Sequence, residues 1–344
     1  MNFSKSDSDI DVLTKIYEKW ENEISLDKNE LRLLYEIDGK IQGFGYERDT
    51  RIEEILNSKN ERDKKKDLAF IFGCKEDQIS FTEEDALYGD IIYHWGDLDL
   101  EGVVSFNGDL PRYIRGDLFL TYLNELNANL PKYVFGYLTL SSITYLNSNL
   151  PKYVGGNLDL RSLKSYEKDL PKYVGGDLNL RSLKSYEKDL PKYVGGNLDL
   201  GSLKSYEKNL PKYVGGNLDL GSLTSLDTSL PEYIGGGLNL SSLTSLYQEL
   251  PEHVNGNLNL SNLTLLRGSL PKHVEGYFYL SSLTSLDTSL PEYVGGVLDL
   301  RSLILLYGNL PEYVGDYIFL NQNLFKENMA LFIEKFGKDK LNLH

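Results

Sequence analysis

Residues 150–169 read LPKYVGGNLDLRSLKSYEKD, and this stretch decides the fold because close copies of it fill most of the chain. The Leu-Pro pair that opens it recurs every 20 residues from Leu110 to Leu310, without insertion or deletion, and takes in all 11 prolines. In a stacked array each unit buries its apolar side against its neighbours, so equivalent residues must line up. The sequence therefore predicts a repeat solenoid over residues 90–324.

Leucines inside the unit predict a strand. The residue equivalent to Leu160 is leucine in every unit, and the residue two positions earlier is always apolar. Side chains two apart share one face of a strand, so Leu-x-Leu predicts one strand of a parallel sheet in each unit. Proline cannot donate to a central ladder, so we expect Leu-Pro to begin a turn or helical turn on the other side. Glycine before the strand indicates close approach between units.

The array has recognisable ends. Residues 95–103 lack Leu-Pro but match the second half of the unit, so they are expected to form a first, atypical turn. Asp316 replaces the repeated glycine and Asn323 replaces an apolar residue, which predicts that regularity ends in the last unit.

The 20-residue period with Leu-Pro and Leu-x-Leu resembles the short leucine-rich repeats of bacterial proteins, over residues 90 to about 320. That resemblance implies a curved solenoid with a parallel sheet on its concave side, used to bind proteins. The unit also resembles one four-sided coil of a pentapeptide-repeat β-helix, through residues 156–160 and 162–163. Leu163 and its equivalents stand where a leucine-rich repeat usually carries asparagine, whereas residues 166–169 and the proline do not continue the pentapeptide pattern. Both classes stay open, and the leucine-rich-repeat-like parallel array is favoured.

The flanking segments are predicted to be helical. Residues 1–89 contain no proline, and apolar residues at helical spacing indicate a small all-α domain with helices at 10–20, 51–56 and 64–72. Gly73 is the expected C-cap of the last of these, and residues 78–80 are expected to open a further short helix. Residues 325–344 are predicted to cap the array through an amphipathic helix at 325–336.

Charge restricts the classes of partner. The net charge of −15 repels phosphate backbones and anionic lipid, so we expect no direct nucleic acid binding and no membrane binding. A protein with a basic surface remains an attractive partner. One cysteine, a polar start and the lack of a long apolar stretch indicate a cytoplasmic protein.

Residue types that carry out chemistry are sparse. Cys74 precedes Lys75, which could lower its pKa, yet an isolated cysteine is usually a small core residue. His253 and His273 stand where other units carry tyrosine, so they are interpreted as substitutions within the repeat rather than metal ligands. We predict a protein that is not an enzyme and holds neither cofactor nor metal.

The candidate binding residues follow from strand alternation. The middle residue of Leu-x-Leu and the residue two before it should point away from the core. Central units carry Asp and Asn there, whereas the end units carry aromatic residues. The predicted partner-binding residues are Phe119, Tyr137, Asp159, Asp177, Asn179, Asp199, Asp219, Asn239, Asn259, Tyr277, Tyr279, Tyr317 and Phe319. The competing interpretation is that Asp and Asn form side-chain ladders that satisfy one another along the sheet.

These observations favour a protein–protein interaction scaffold of bacterial or phage type, which binds its partner through the strand face and the terminal aromatic patches. The alternative is an acidic inhibitor that imitates nucleic acid and occupies a basic site on a host or phage defence protein. A third hypothesis places an activity or DNA reading in residues 1–89, on a weak likeness to a helix-turn-helix.

Overall fold

Two compact units make up the chain in the computed structural model, Met1–Trp95 and Gly96–His344. The structure describes residues 3–37, 39, 41, 48–57, 62–106, 108–126, 129–206, 208–226 and 229–344. Among the described residues, no helix combines the length and the apolar character needed to cross a membrane.

The first unit is a small helical region. The α-helices among its described residues are α1 (Phe3–Glu21), α2 (Lys28–Leu34), α3 (Thr50–Leu56), α4 (Lys64–Phe72) and α5 (Glu83–Leu87). Asp27 begins α2 with a capping box, and Gly73 ends α4 in the left-handed conformation at φ +65°, as predicted. The helix predicted at residues 78–80 is wrong. A 3₁₀ turn, Glu76–Gln78, runs into the strand Ile79–Ser80, which pairs in parallel with Tyr93–His94.

The second unit is a parallel β-solenoid of about 12 turns. Its main sheet, the Leu-Asx ladder, contains the predicted Leu-x-Leu strands, and successive partners lie 20 residues apart from Leu98↔Leu118 to Leu298↔Ile318. The strands of this ladder are Leu98–Asp99, Leu118–Phe119, Leu138–Thr139, Leu158–Asp159, Leu178–Asn179, Leu198–Asp199, Leu218–Asp219, Leu238–Asn239, Leu258–Asn259, Phe278–Tyr279, Leu298–Leu300, Ile318–Leu320 and Leu341–Leu343.

A second run of strands, which we name the Tyr-Val ladder, lies just after the prolines and forms two sheets, the first ending at Tyr233–Ile234 and the second starting at His253–Val254. Its strands in this unit are Tyr113–Ile114, Tyr133–Val134, Tyr153–Val154, Tyr173–Val174, Tyr193–Val194, Tyr213–Val214, Tyr233–Ile234, His253–Val254, His273–Val274, Tyr293–Val294 and Tyr313–Val314. The expected turn or helical turn after Leu-Pro is therefore wrong for these segments. Each proline lies two residues before its strand, where the missing N–H is not needed for the ladder. Hydrogen bonding between turns starts at the next residue, since Lys152 N donates to Lys132 O at 2.9 Å.

Short pairs of strands form on a third part of the turn. They are Ser105–Phe106 with Glu125–Leu126, Tyr145–Leu146 with Ser165–Tyr166, Ser245–Leu246 with Leu265–Leu266, and Ser285–Leu286 with Leu305–Leu306. Each turn therefore carries two strands of the long ladders and, in places, a third short strand.

The apolar columns fill the interior as predicted. Val154, Leu158, Leu160 and Leu163 are fully buried, and so are most of their equivalents. Identical columns in register give each turn the same neighbours above and below, which explains why the period tolerates no insertion.

The glycine that precedes the strands of the regular turns, from Gly116 to Gly296, is required by crowding between turns. A Cβ on Gly196 would lie 2.1 Å from Asp177 Oδ1 and 2.9 Å from the backbone N of the same residue. Close approach, rather than a left-handed backbone, therefore accounts for this column in the regular turns.

The last strand of the Leu-Asx ladder lies beyond the predicted end of the array. Helix α6 (Gln322–Phe336) follows the twelfth strand and buries Leu324 and Phe332. The chain then passes through a 3₁₀ turn, Lys338–Lys340, and Leu341–Leu343 pairs in parallel with Ile318–Leu320. The sequence Leu-Asn-Leu at 341–343 is the strand motif of the repeat, displaced by the inserted helix.

Candidate binding surface

All thirteen predicted binding residues lie along the Leu-Asx ladder. Nine are strand residues, and Tyr137, Asp177, Tyr277 and Tyr317 each come immediately before a strand. The leucines between them are buried, while the candidates are exposed or half-buried. Strand alternation therefore places this set on one face, as the sequence predicted.

The Asp and Asn residues before the strands bond to the backbone of the next turn. Asp177 Oδ1 accepts a hydrogen bond from Asn197 N at 2.6 Å, and Asn197 Oδ1 accepts from Asn217 N at 2.7 Å. The same bond links Asn157 to Asp177, and Asp97 to Asp117. These bonds form a side-chain-to-backbone ladder. A bond between side chains, of the kind that the sequence suggested, joins Asn239 Nδ2 to Asp219 Oδ1 at 2.9 Å.

The Asp and Asn residues inside the strands shape the turn that follows. Asp199 Oδ1 accepts from Gly201 N at 2.9 Å, and the same two-residue pattern recurs at Asp159, Asn179 and Asp219. This is the Asx turn, in which a short side chain bonds its own backbone two residues on. One side-chain oxygen of each of these residues is therefore used to hold the turn. The side chains remain half-buried, so the negative charge of the aspartates stays at the surface.

Four aromatic side chains gather near the end of the ladder, and we name them the C-terminal aromatic patch. They are Tyr277, Tyr279, Tyr317 and Phe319. Tyr277 and Tyr317 are 41% and 54% exposed, and the rings of Tyr277 and Tyr279 meet edge to face with centroids 6.1 Å apart. Burial raises the pKa of Tyr279 above its ordinary value, with smaller contributions from Tyr277 and Asp299.

One strand separates the two halves of this patch. Register places Asp299 between Tyr279 and Phe319, and half-buried Val297 occupies the same turn. Arg301 lies 5.4 Å from the Phe319 ring centroid, and its guanidinium pairs with Asp299 at 2.8 Å. The patch therefore spans three neighbouring strands and combines rings, an aliphatic side chain and a cation.

Asp299 corrects the expectation that every middle residue of Leu-x-Leu faces solvent. It is 2% exposed, because Arg301 covers it and Ser281 Oγ donates to its Oδ2 at 2.8 Å. A buried carboxylate is tolerated here because it is both paired and hydrogen-bonded.

The aromatic residues at the start of the ladder are fewer. Phe119 pairs with Thr139, and Tyr137 comes two residues before that threonine on the neighbouring turn. Tyr137 is 48% exposed and Phe119 is half-buried. The two rings lie on adjacent turns, and they form a smaller group than the four aromatic residues and the arginine at the C-terminal aromatic patch.

Sequence reasoning missed an exposed apolar segment on another part of the turn. Ile304, Leu305 and Tyr307 are 40%, 43% and 72% exposed. They occupy positions that the unit at 270–289 fills with Thr284, Ser285 and Asp287. This departure from the repeat could have revealed the segment in the sequence, since apolar residues at positions that are polar in other units indicate an exposed apolar patch.

The residues considered for chemistry are placed as follows. Burial, followed by the carboxylate of Asp77, raises the pKa of the Cys74 thiol, the opposite of what an activated cysteine needs. His253 and His273 stack with ring centroids 4.8 Å apart inside the tyrosine column. In the described part of the chain, no group of three or more His, Cys, Asp or Glu residues is arranged to hold a metal ion.

The fold and this surface define a parallel β-solenoid with 20-residue turns and an aromatic-ended strand face. Comparison with family models, with curated proteins and with solved structures returns no match to the chain.

Proposed function

We propose that the chain is a non-enzymatic scaffold that binds a protein partner through the C-terminal aromatic patch. The observation that carries this proposal is the exposure of Tyr277 and Tyr317 beside Tyr279 and Phe319, on two turns separated by a single strand. Aromatic residues and arginine dominate the energetic centres of protein interfaces, and Arg301 supplies the cation here. A rigid sheet also loses little conformational entropy when a partner docks on it.

The acidic centre of the ladder complements this patch. Asp159, Asp177, Asp199 and Asp219 lie within consecutive turns about 4.8 Å apart on the same face. Such a row attracts a partner with a basic surface and speeds its association, while the aromatic patch provides the affinity. The proposed partner is therefore a protein that presents an apolar site flanked by Lys or Arg.

We further propose a repeat class for the solenoid. Leu-Pro and Leu-x-Leu favour the leucine-rich-repeat-like assignment, but the two long ladders begin five residues apart, as at Tyr153 and Leu158, which is the spacing of a pentapeptide side. The next strand, Ser165–Tyr166, begins seven residues later, so the whole turn does not follow that rule. The proposal is a leucine-rich-repeat-like coil with one pentapeptide-like corner.

Capture from lysate of a natural host, with quantification by mass spectrometry, tests the scaffold. The wild-type chain should retain a specific protein that the variant Tyr277→Ala/Tyr317→Ala loses. The matched control is Tyr122→Ala/Tyr247→Ala, which removes two exposed tyrosines outside the patch and should keep the partner. Equal retention by the patch variant, or no specific protein with wild type, would contradict the proposal.

The second candidate is an inhibitor that imitates nucleic acid. It is favoured by the same row of aspartates, whose charges repeat from turn to turn along the Leu-Asx ladder. Competition at low salt tests it: the chain should displace DNA or RNA from a basic partner, and Asp159→Asn/Asp199→Asn/Asp219→Asn should weaken that displacement. If these substitutions left the displacement unchanged, the aspartate row would not be the surface that displaces the nucleic acid.

A further inference from the structure

Equivalent exposed residues on the Tyr-Val side form a row with positive charges in one half and mostly negative charges in the other. It consists of the residue that follows each proline, which we name the Lys–Glu stripe. Its members in order are Arg112, Lys132, Lys152, Lys172, Lys192, Lys212, Glu232, Glu252, Lys272, Glu292 and Glu312. The first six turns are all cationic, and four of the last five are anionic.

The side chains of the stripe are available at the surface. All of them are exposed except Lys132, which is half-buried and lies over the Tyr133 ring. Along the stack, Lys212 pairs with Glu232 and Lys272 pairs with Glu252, each at 2.9 Å. In the part of the chain that the structure describes, Lys152, Lys172 and Lys192 form no such ion pair, because the neighbouring residues of the stripe are also lysines.

Recent duplication does not explain the two blocks. Units 150–169 and 170–189 are nearly identical, but the units that contain Arg112, Lys132 and Glu312 differ from them at many other positions. Like charges on neighbouring turns about 4.8 Å apart repel one another. A sign that is kept across dissimilar units despite this repulsion indicates an external partner for the stripe.

The stripe is complementary to a reversed copy of itself. When two copies lie antiparallel with Lys212 of each facing Glu232 of the other, opposite signs meet at most turns. The opposed pairs, each formed twice by symmetry, are Lys132 with Glu312, Lys152 with Glu292, Lys192 with Glu252, and Lys212 with Glu232. The pair Lys172 with Lys272 is the exception.

Register makes a second copy a better match than another linear partner. Two copies have the same distance between turns, so the charges remain aligned over all ten turns instead of drifting apart. A two-fold interface of this kind is the commonest symmetry among oligomers, and it needs one self-complementary surface.

The acidic end also leaves space for the opposing side chains. A cavity of about 640 Å³ lies between the last turns and α6. Its wall contains Glu292 and Glu312 together with Lys272 and Lys335, and Leu331 and Phe332 line the helix side. Lysine side chains from the basic end of the other copy would enter here with their alkyl stems against apolar surface.

We propose that two copies of this chain associate antiparallel through the Lys–Glu stripe. The association uses the Tyr-Val side, so it leaves the Leu-Asx ladder open and does not depend on the proposed function.

Sedimentation and light scattering at low salt test the proposal by charge exchange. The variant Lys132→Glu/Lys152→Glu/Lys192→Glu should be monomeric, and so should Glu252→Lys/Glu292→Lys/Glu312→Lys. An equimolar mixture of the two should form a heterodimer, because each reversed stripe complements the other. Raising the salt from ~50 to ~200 mM should weaken the wild-type dimer about tenfold or more, because exposed pairs are screened.

The matched control is Lys168→Glu/Lys188→Glu/Lys208→Glu. It makes the same change in net charge at exposed positions of another column, and it should still dimerise. A monomeric wild-type chain at low salt would overturn the proposal, as would equal loss in the control or failure of the mixture to associate. Binding of polyglutamate by a monomeric wild-type chain, lost in the Lys132 triple variant, would instead assign the basic block to a linear polyanion.

Discussion

Substitution of one glycine tests how the turns are held in register. In Gly196→Ala, the new Cβ would lie 2.1 Å from Asp177 Oδ1, and 2.9 Å from both Asp177 N and Gly176 C. The same Oδ1 accepts the hydrogen bond from Asn197 N at 2.6 Å. The carboxylate must therefore leave its position, and the bond between the two turns is lost.

The expected loss follows from these contacts. A hydrogen bond to a charged group contributes ~1.5–3 kcal/mol, and relief of the two close backbone contacts adds about 1 kcal/mol. Gly196→Ala should therefore lower the free energy of unfolding by about 2.5–4 kcal/mol. Gly201→Ala is the control, because its Cβ would meet only side-chain atoms, the nearest being Asp199 Oδ1 at 3.1 Å. The equivalent position carries Arg161 in another turn, so this change should stay within ~0.5 kcal/mol of wild type.

A double-mutant cycle measured by urea denaturation separates the two contributions. Asp177→Ala should cost ~1.5–3 kcal/mol by itself, whereas Asp177→Asn should cost less because it keeps the acceptor oxygen. In the Asp177→Ala background, Gly196→Ala should cost only about 1 kcal/mol, since the atom it displaces is gone. Additive costs, or a Gly196→Ala cost no larger than that of Gly201→Ala, would refute the role assigned to this bond.

Three further perturbations address the core, the buried tyrosines and the period. Leu180→Ala removes a fully buried side chain and should lower the free energy of unfolding by ~2–5 kcal/mol, whereas exposed Lys184→Ala should change it by under ~0.5 kcal/mol. Burial, followed by the nearby Tyr206, raises the pKa of Tyr186, so the folded state keeps a proton that the unfolded state releases above about pH 10. The urea midpoint should therefore fall as pH rises past that value, and the fall should be smaller in Tyr186→Phe; an identical fall would contradict the assignment. Deletion of residues 170–189 should leave a folded chain by circular dichroism, whereas deletion of 171–189 should not, because the second moves every later leucine out of its column. Two equally folded deletion variants would contradict the stacking argument.

Most of the second unit could be predicted because the same requirement, burial of equivalent leucines, applies in each turn. Leu158 and Leu160 are buried for the same reason in each turn, so the period alone gave the strand, its direction and its register. The third buried column at Leu163 was equally visible. Tyr153–Val154 was missed as a strand because the proline two residues earlier suggested a turn, although both residue types favour strands.

The surface was only partly predictable. Alternation placed Tyr277 and Tyr317 outside, yet burial of Asp299 depends on Arg301 and Ser281, which meet it only in the folded chain. The bond from Asn197 N to Asp177 could not be read from composition, because a stripe of Asp and Asn has the same sequence whether it binds a partner or joins turns. Leu341–Leu343 was hidden by the inserted helix, which shifts it out of the period.

Because consecutive units such as 150–169 and 170–189 are nearly identical and meet their neighbours through the same contacts, the molecule can change length in whole steps. Unequal recombination within such a gene adds or removes entire turns, and each event leaves the helical region, α6 and the aromatic residues at both ends unchanged. The distance between the two ends of the strand face is therefore an inheritable quantity, adjustable by about 4.8 Å at a time, and it can vary among descendants without any new contact having to evolve.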